Sequence, residues 1–419
     1  MIKSKSIVAA VVEQIALLLS PFIVNIYLST HLELSRYGDF YLAYTLYTFL
    51  VGVNQALFVE AYGVLIPAKY SSKRGSIFSL IFGRNLVAIS IGVLTVFVIS
   101  GVSNASCLID LKSVRNGLAL LAGIALPTQI VKCDLYIRGR IFESALLAII
   151  GMTVSLAIFL WMHSHGNIDE FSACIVLSAN YLPYLCAGIL TRFKSDKKLD
   201  LKSVLNYQSD HIQYSKWVLL VSFVFQLYSQ NAYWVAKSQL GSVVVAKYRL
   251  IQNIILPLNI LSIALSNVSI PLLAKALSCK DKNLAFSILR GNSFKVFLAH
   301  IIFGFLVVVV KLLSLKIFED YFKNIEWSGF WLCLLASFIT ANGHILNDAA
   351  KGFLKPKIVL LSYLISGGLG AFVGLALANM LNLNGVCLGN VVSAFLYFLC
   401  LAVSLRRFYR VFMFNQVIV

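Results

Sequence analysis

Apolar residues fall into twelve runs of about twenty, separated by short polar connections: 7–29, 40–66, 77–100, 114–135, 141–162, 171–191, 214–236, 243–270, 290–313, 328–347, 357–380 and 386–405. About twenty helical residues cross the hydrocarbon core of a bilayer. None of the runs shows the two-residue alternation of short barrel strands, and only a helix satisfies its own backbone in lipid. The pattern predicts an all-α integral membrane protein of twelve transmembrane helices. The basic start "MIKSKS" suits a signal peptide, but the run after it is too long and carries Glu13 and Gln14. It also lacks a small-residue cleavage site, so it reads as a retained first helix.

Composition agrees. Of 419 residues, 59% are hydrophobic and 12% charged, with a mean hydropathy of +0.85, where soluble domains carry about 25% charged residues. The eight cysteines are scattered, without a C-x-x-C. Their spacing fits neither a metal site nor a disulfide framework, and they read as small apolar packing residues.

The formal charge of +18 changes the picture only through its placement. With the N-terminus assigned to the cytoplasm, 22 basic residues fall in cytoplasmic segments and 7 in the opposite ones. That bias orients the chain with both termini cytoplasmic, and it accounts for the basic excess without nucleic acid. Six cations remain within or at the edge of spans: Arg84, Lys216, Lys247, Arg249, Arg290 and Lys295.

The longest charged connection, Thr191 to Lys216, separates two sets of six helices. The expected organisation is an N-terminal bundle over 1–191, a cytoplasmic linker over 192–213 and a C-terminal bundle over 214–419. Leu32, Gly38, Phe40 and Leu42 match Leu240, Ala246, Tyr248 and Leu250 at one constant offset, in the connection between the first two helices of each half. "GRN" at 83–85 and "RGN" at 290–292 add a weaker echo. Six helices per half keep both halves in one orientation, so a pseudo-two-fold axis along the membrane normal should relate them.

These stretches resemble a known family. A helix, then L-x5-[GA]-x-[YF]-x-L, then a long apolar helix is read in "GDFYLAYTLYTFLVGVNQALFVEAYGVLIPAK" and in "LGSVVVAKYRLIQNIILPLNILSIALSNVSIPLLAK", the latter closing on P-x-x-A-K. The pattern is similar to O-antigen (Wzx-type) flippases of the multidrug/oligosaccharidyl-lipid/polysaccharide exporter (MOP) superfamily. One departure is Ala246, where the family more often has glycine. The resemblance implies a MATE-like fold in the bacterial inner membrane and no enzymatic activity. It also implies translocation of undecaprenyl-pyrophosphate-linked repeat units to the periplasmic leaflet. The implied partners are that lipid-linked oligosaccharide, membrane lipids, and the O-antigen polymerase and chain-length regulator.

Such a substrate needs a polar cavity with cations for its phosphates, since buried charges are costly elsewhere in a membrane. Ser222, Gln226, Gln230, Tyr233 and Lys237 recur along one face of the seventh helix, suited to sugar hydroxyls or to interhelical hydrogen bonds. Gln14, Pro21 and Asn25 form a sparser analogue on the first helix. Pro21 is expected to kink it. Glu13 admits two readings: a carboxylate reaching the interface, or one that couples to protons. Lys247 and Arg249 point about 200° apart, so one faces the cavity and one the headgroups. The stripe of Arg249 with Asn253 and Pro257 favours Arg249. Arg84 and Arg290 open the third helix of each half, either as a guanidinium pair for pyrophosphate or as topological anchors. Glu60, Asp348 and His344 are candidate counter-ions, with Glu60 and Asp348 further candidates for ion coupling.

No G-x-x-x-x-G-K-[ST] is present, so no P-loop binds ATP, and no cofactor is expected. A drug antiporter of the same superfamily should favour acidic cavity residues, whereas the leftover cations favour an anionic substrate. A membrane polymerase or ligase should carry a long periplasmic loop with acid–base residues. The longest such segments here run about fifteen residues, at 101–114 and 312–327.

Overall fold

A computed structural model describes residues 4–102, 111–166, 168–193, 201–278, 282–312, 325–352 and 356–414. The connections 103–110, 194–200, 279–281 and 313–324 lie outside the described residues, and with them Cys107, Cys279 and part of the expected linker.

Among the described residues, each of the twelve apolar runs lies in a helix or a helix pair, and there is no strand. The first three runs form α1 (Ser4–His31), α2 (Leu34–Asn54) with α3 (Glu60–Lys69), and α4 (Arg74–Val102). The next three form α5 (Leu111–Ile137), α6 (Ile141–His165), and α7 (Glu170–Ala179) with α8 (Leu182–Phe193). The last six are α9 (Leu201–Leu240), α10 (Ser242–Ser278), α11 (Lys282–Leu312), α12 (Trp327–Gly352), α13 (Pro356–Leu381) and α14 (Leu383–Phe414). Among the described residues nine spans are long and apolar enough to cross a membrane, ten with the bent α7–α8 pair. The chain is a multi-pass membrane protein.

Two runs are less regular than their hydropathy suggests. A π-helical turn, Gln55–Val59, joins α2 to α3. Such turns leave backbone carbonyls without regular partners. Here the Leu57 carbonyl accepts from His211 Nε2 at 2.6 Å and from Ser215 Oγ at 3.3 Å. The sixth run breaks between α7 and α8 with a bend of 47°. Pro183 lies just inside α8, where its missing N–H costs nothing. Asp169 caps the start of α7 through Ser172 N, at 2.8 Å.

The chain divides into two compact units, Met1–Phe223 and Val224–Val419, with the division inside α9. Residues 201–213, part of the expected linker, are helical. In the first unit α5 is central and packs on α2, α3, α4, α6, α7 and α8. Its end is closed by a Schellman turn at Gly139 (φ 70°), in which Arg140 N reaches Leu135 O and Gly139 N reaches Tyr136 O. The core here holds Tyr62, Phe78, Phe82, Ile130 and Tyr184.

In the second unit α14 packs on α12 and α13, and α10 on α11 and α12. The α13–α14 contact depends on small residues, as helix pairs in lipid do. A Cβ on Gly389 would lie 2.6 Å from the Gly374 Cα and 2.8 Å from the Gly370 carbonyl oxygen. The turn between α9 and α10 uses Gly241 at φ 83°, a conformation that glycine adopts without a Cβ penalty.

Candidate functional site

The six leftover cations do not converge in either unit. Arg84, Lys216, Arg290 and Lys295 are exposed; Arg84 Nη2 donates to Gln208 Oε1 at 3.3 Å. Lys247 and Arg249 are half-buried on α10. Tyr248 between them is buried, accepts from Asn390 Nδ2 at 3.1 Å and meets Tyr233 edge-on at 4.9 Å. With Tyr248 directed into the core, Lys247 and Arg249 lie about 100° to either side of it. Asn253, one turn beyond Arg249, is buried.

The polar stripe of α9 is divided between the two units. Ser222 donates to the Gly52 carbonyl at 2.9 Å in the first unit. In the second unit Gln226 and Tyr233 are buried, Gln230 is half-buried, and Lys237 reaches Ser242 Oγ across the Gly241 turn.

On α1, Gln14 is half-buried, while Asn25 is buried and donates to the Pro21 carbonyl at 2.7 Å. The helix runs on through Pro21. Proline removes the N–H that would bond the carbonyl four residues earlier, which is Leu17 O. That carbonyl instead accepts from Asn180 Nδ2 at 3.1 Å, and Asn180 sits in the α7–α8 break. The two interruptions are thus stitched to each other.

Glu13 is 0% exposed. It accepts from Ser144 Oγ at 2.8 Å, Tyr184 Oη at 2.9 Å and Tyr136 Oη, and Lys132 Nζ lies 3.2 Å away. Four helices, α1, α5, α6 and α8, therefore converge on one carboxylate. The reading of Glu13 as reaching an interface does not describe this geometry. Its four partners offer what a buried carboxylate requires: charge compensation and filled lone pairs.

Two residues further along α5, Asp134 is also buried. Arg74 approaches it at 2.8 Å, Arg138 at 2.6 Å and the Tyr62 hydroxyl at 2.6 Å. Glu170 is held by Arg36 through two bonds of 3.0 and 2.7 Å. Glu60 is half-buried and lies near Tyr214.

The second unit has a counterpart built from tyrosines. Tyr363 and Tyr397 stack with ring centroids 4.7 Å apart and hydroxyls 3.0 Å apart. Tyr228 packs on both rings and bonds Thr340. Asn347 and His344 each reach a tyrosine hydroxyl at 3.5 Å. Asp348, buried, lies close enough for its charge to act on Tyr363 and Tyr397. Among the described residues no three His, Cys, Asp or Glu side chains form a group that could hold a metal.

No family model matches the chain, and no curated protein matches it. Solved structures do. The Vibrio cholerae MATE transporter VcmN superposes with a TM-score of 0.69 at 11% identity, over 97% of this chain and 96% of that one. The fold is that of the MATE transporters. An outward-facing multidrug resistance MATE transporter of the MOP superfamily gives 0.65 at 14% identity, over 97% and 96% of the two chains. A MOP transporter from Pyrococcus furiosus, for which a reverse polarity of the binding pocket suggests a different function, gives 0.64 at 14%, over 96% and 95%.

Within this MATE fold, three functional candidates lay outside the sequence reading: Asp134, Tyr184 and Asn180. For Asp134 a signal exists. It precedes Arg138 by one helical turn, and acid, base and glycine close the fourth helix of each half, as Asp134–Arg138–Gly139 and Asp348–Lys351–Gly352. For Tyr184 and Asn180, whose partners are remote in sequence, no local pattern exists.

Proposed function

We propose that the chain is a flippase that moves undecaprenyl-pyrophosphate-linked O-antigen repeat units from the cytoplasmic to the periplasmic leaflet of the inner membrane by alternating access, with both termini cytoplasmic. The observation that carries this reading is charge balance. The buried acids of the first unit are Glu13, Asp134 and Glu170, each bound to lysine or arginine. Acids neutralised in this way are not available to attract a cationic drug. Arg249, Lys247, Arg84 and Arg290 then supply a basic surplus suited to pyrophosphate, with the guanidinium fork matching phosphate oxygens. Amides such as Gln226, Gln230, Asn253, Gln14 and Asn25 supply neutral hydrogen bonding for sugars. Glu60 and Asp348 are the carboxylates proposed for ion coupling, and Glu13 joins them only where a proton replaces Lys132 as its partner. The O-antigen polymerase and chain-length regulator are the protein partners that follow from this role.

The second reading is a multidrug antiporter, supported by the fold and by Asp348 among aromatic rings, an arrangement that suits a cation.

Complementation separates the two. Cells lacking their own repeat-unit flippase, but making the lipid-linked unit, should regain surface polysaccharide with the wild-type gene. They should lose it with Arg249→Ala at equal expression. Absence of polymer together with raised dye efflux would favour the antiporter.

A further inference from the structure

Three amides in the first unit form a relay with a fixed direction. Asn54 on α2 donates from Nδ2 both to the Leu126 carbonyl and to Gln129 Oε1, each at 2.9 Å. Asn85 on α4 donates from Nδ2 to Asn54 Oδ1 at 2.5 Å. The Leu126 carbonyl can only accept, which fixes the nitrogen of Asn54 and, through it, the other two amides. Gln129 therefore turns its oxygen inward and its Nε2, with two hydrogens, away from the relay. Asn54 and Asn85 are buried, whereas Gln129 is half-buried. At the inner end Asn85 Oδ1 is buried without a hydrogen-bond partner.

Such a relay differs from ordinary stitching between helices, in which buried polar groups satisfy one another. Here an acceptor is left over inside and two donors are left over outside. The apolar span of α5 covers Asn116–Ile137. Gln129 is eight residues from its end, about 12 Å along the helix axis, which places the donors at hydrocarbon depth. Lipid chains offer them no acceptor. A polar compartment on this side of the first unit would supply one.

We infer that Gln129, oriented by Asn54 and Asn85, is a specificity-determining contact that donates to a neutral acceptor on the sugar headgroup, a hydroxyl or an acetamido carbonyl. The inference rests on the flippase reading. Neutrality decides between the two ends of such a substrate. The relay contains no guanidinium or ammonium group, so it has no charge to offer a phosphate, while an amide donor matches a sugar oxygen. Asn54 and Asn85 are positioning residues: they set which end of Gln129 faces the ligand.

The test uses the full-length protein in lipid nanodiscs and saturation-transfer NMR with free N-acetylglucosamine and free glucose. Wild type should bind at least one of them. Gln129→Met, which keeps the shape and loses the donors, should weaken that binding about fivefold to tenfold, the worth of one or two neutral hydrogen bonds. Gln129→Glu, which replaces donors by acceptors, should weaken it at least as much. Asn85→Leu should weaken it about twofold to threefold by releasing the orientation of Gln129. Thermal melts identify any variant that misfolds, and the Met and Glu variants serve as independent readings. No sugar binding to wild type, or equal binding by wild type and Gln129→Met, overturns the inference. So does inorganic pyrophosphate binding that Gln129→Met abolishes while sugar binding is unchanged. Complementation separates the two levels. If wild type restores polymer while Gln129→Met leaves sugar binding intact, this site falls and the flippase reading stands. If wild type binds sugar through Gln129 but restores no polymer, the reverse holds.

Discussion

The two units place buried polar clusters on corresponding helices but hold them by different chemistry. In the first unit Glu13, on the first span, draws partners from the fourth, fifth and sixth: Lys132, Tyr136, Ser144 and Tyr184. In the second, Tyr228, His344, Asn347, Asp348, Tyr363 and Tyr397 come from the seventh, tenth, eleventh and twelfth spans, the same positions one half later. A fully buried carboxylate with a lysine at 3.2 Å organises the first cluster. Stacked rings joined by a hydroxyl pair organise the second. The difference teaches that a duplicated framework can preserve where polar groups meet while changing what each meeting costs to disturb. Removing one partner of a buried ion pair strands a charge, whereas removing a hydroxyl strands only a dipole.

The largest effect should come from Glu13→Ala, which leaves Lys132 among tyrosines and lowers stability by about 3–5 kcal/mol. Thermal unfolding in detergent would show it as a large drop in midpoint. A drop no greater than that of Tyr397→Phe would erase the contrast between the units. Next, Gly389→Leu should overpack the α13–α14 crossing in the second unit, costing about 1–3 kcal/mol or more, because even a Cβ would lie 2.6 Å from Gly374. Cross-linking of α13 to α14 should fall with it, while the first unit keeps its protease resistance. Smaller still, Tyr397→Phe removes the hydroxyl pair with Tyr363 at about 1 kcal/mol. If it matched Glu13→Ala, the second cluster would have to contain a charge as dependent on its partners as Glu13.

The smallest effect is one of pH, outside the membrane-spanning segments. Lys69 Nζ and the Tyr70 hydroxyl bond Asp210 at 3.0 and 3.1 Å. The bond from Lys69, then that from Tyr70, holds the Asp210 carboxyl below its ordinary range. A depressed carboxyl favours the folded contact above its ordinary titration range and loses that contribution as pH falls through the lowered value. The same bond raises the Lys69 ammonium, so its share persists at neutral pH and fades only as pH rises beyond the ordinary lysine range. Hydrogen exchange at the start of α9 should therefore quicken on acidification, and Asp210→Asn should remove that dependence. Unchanged exchange from neutral pH down to strongly acidic pH would count against the contact.

Much of the architecture was legible in hydropathy because spanning a bilayer is a local requirement. A run of about twenty apolar residues answers it without reference to the rest of the chain. The breaks were less legible. The π-helical turn at Gln55 and the bend at Asn180 are stabilised by His211, Ser215 and the Leu17 carbonyl, none of them a sequence neighbour. For the candidate site, residue type was readable and company was not. Glu13 could be singled out as an acid in an apolar run, but its four partners come from three other helices. Tyr233 sat on a polar stripe by spacing, yet its ring is buried against Tyr248, because aromatic area rewards packing as readily as lining. The relay through Asn54, Asn85 and Gln129 was invisible for the same reason: each amide is unremarkable in its own helix.

The company that Glu13 keeps has a consequence for how the chain is made. Its hydroxyl partners lie 123, 131 and 171 residues downstream, and at ribosomal speeds of about 5–20 residues per second roughly ten to thirty seconds separate α1 from α8. Until the fourth span brings Lys132, the first helix carries a carboxylate with nothing to compensate it, and its last hydroxyl partner follows only with the sixth. A nascent α1 is therefore poorly committed to the bilayer, held by protonation or by lingering at the insertion machinery. It becomes a settled transmembrane segment only when the fourth, fifth and sixth spans arrive. The residue that most tightly organises the finished first unit is the one that delays its earliest step of assembly.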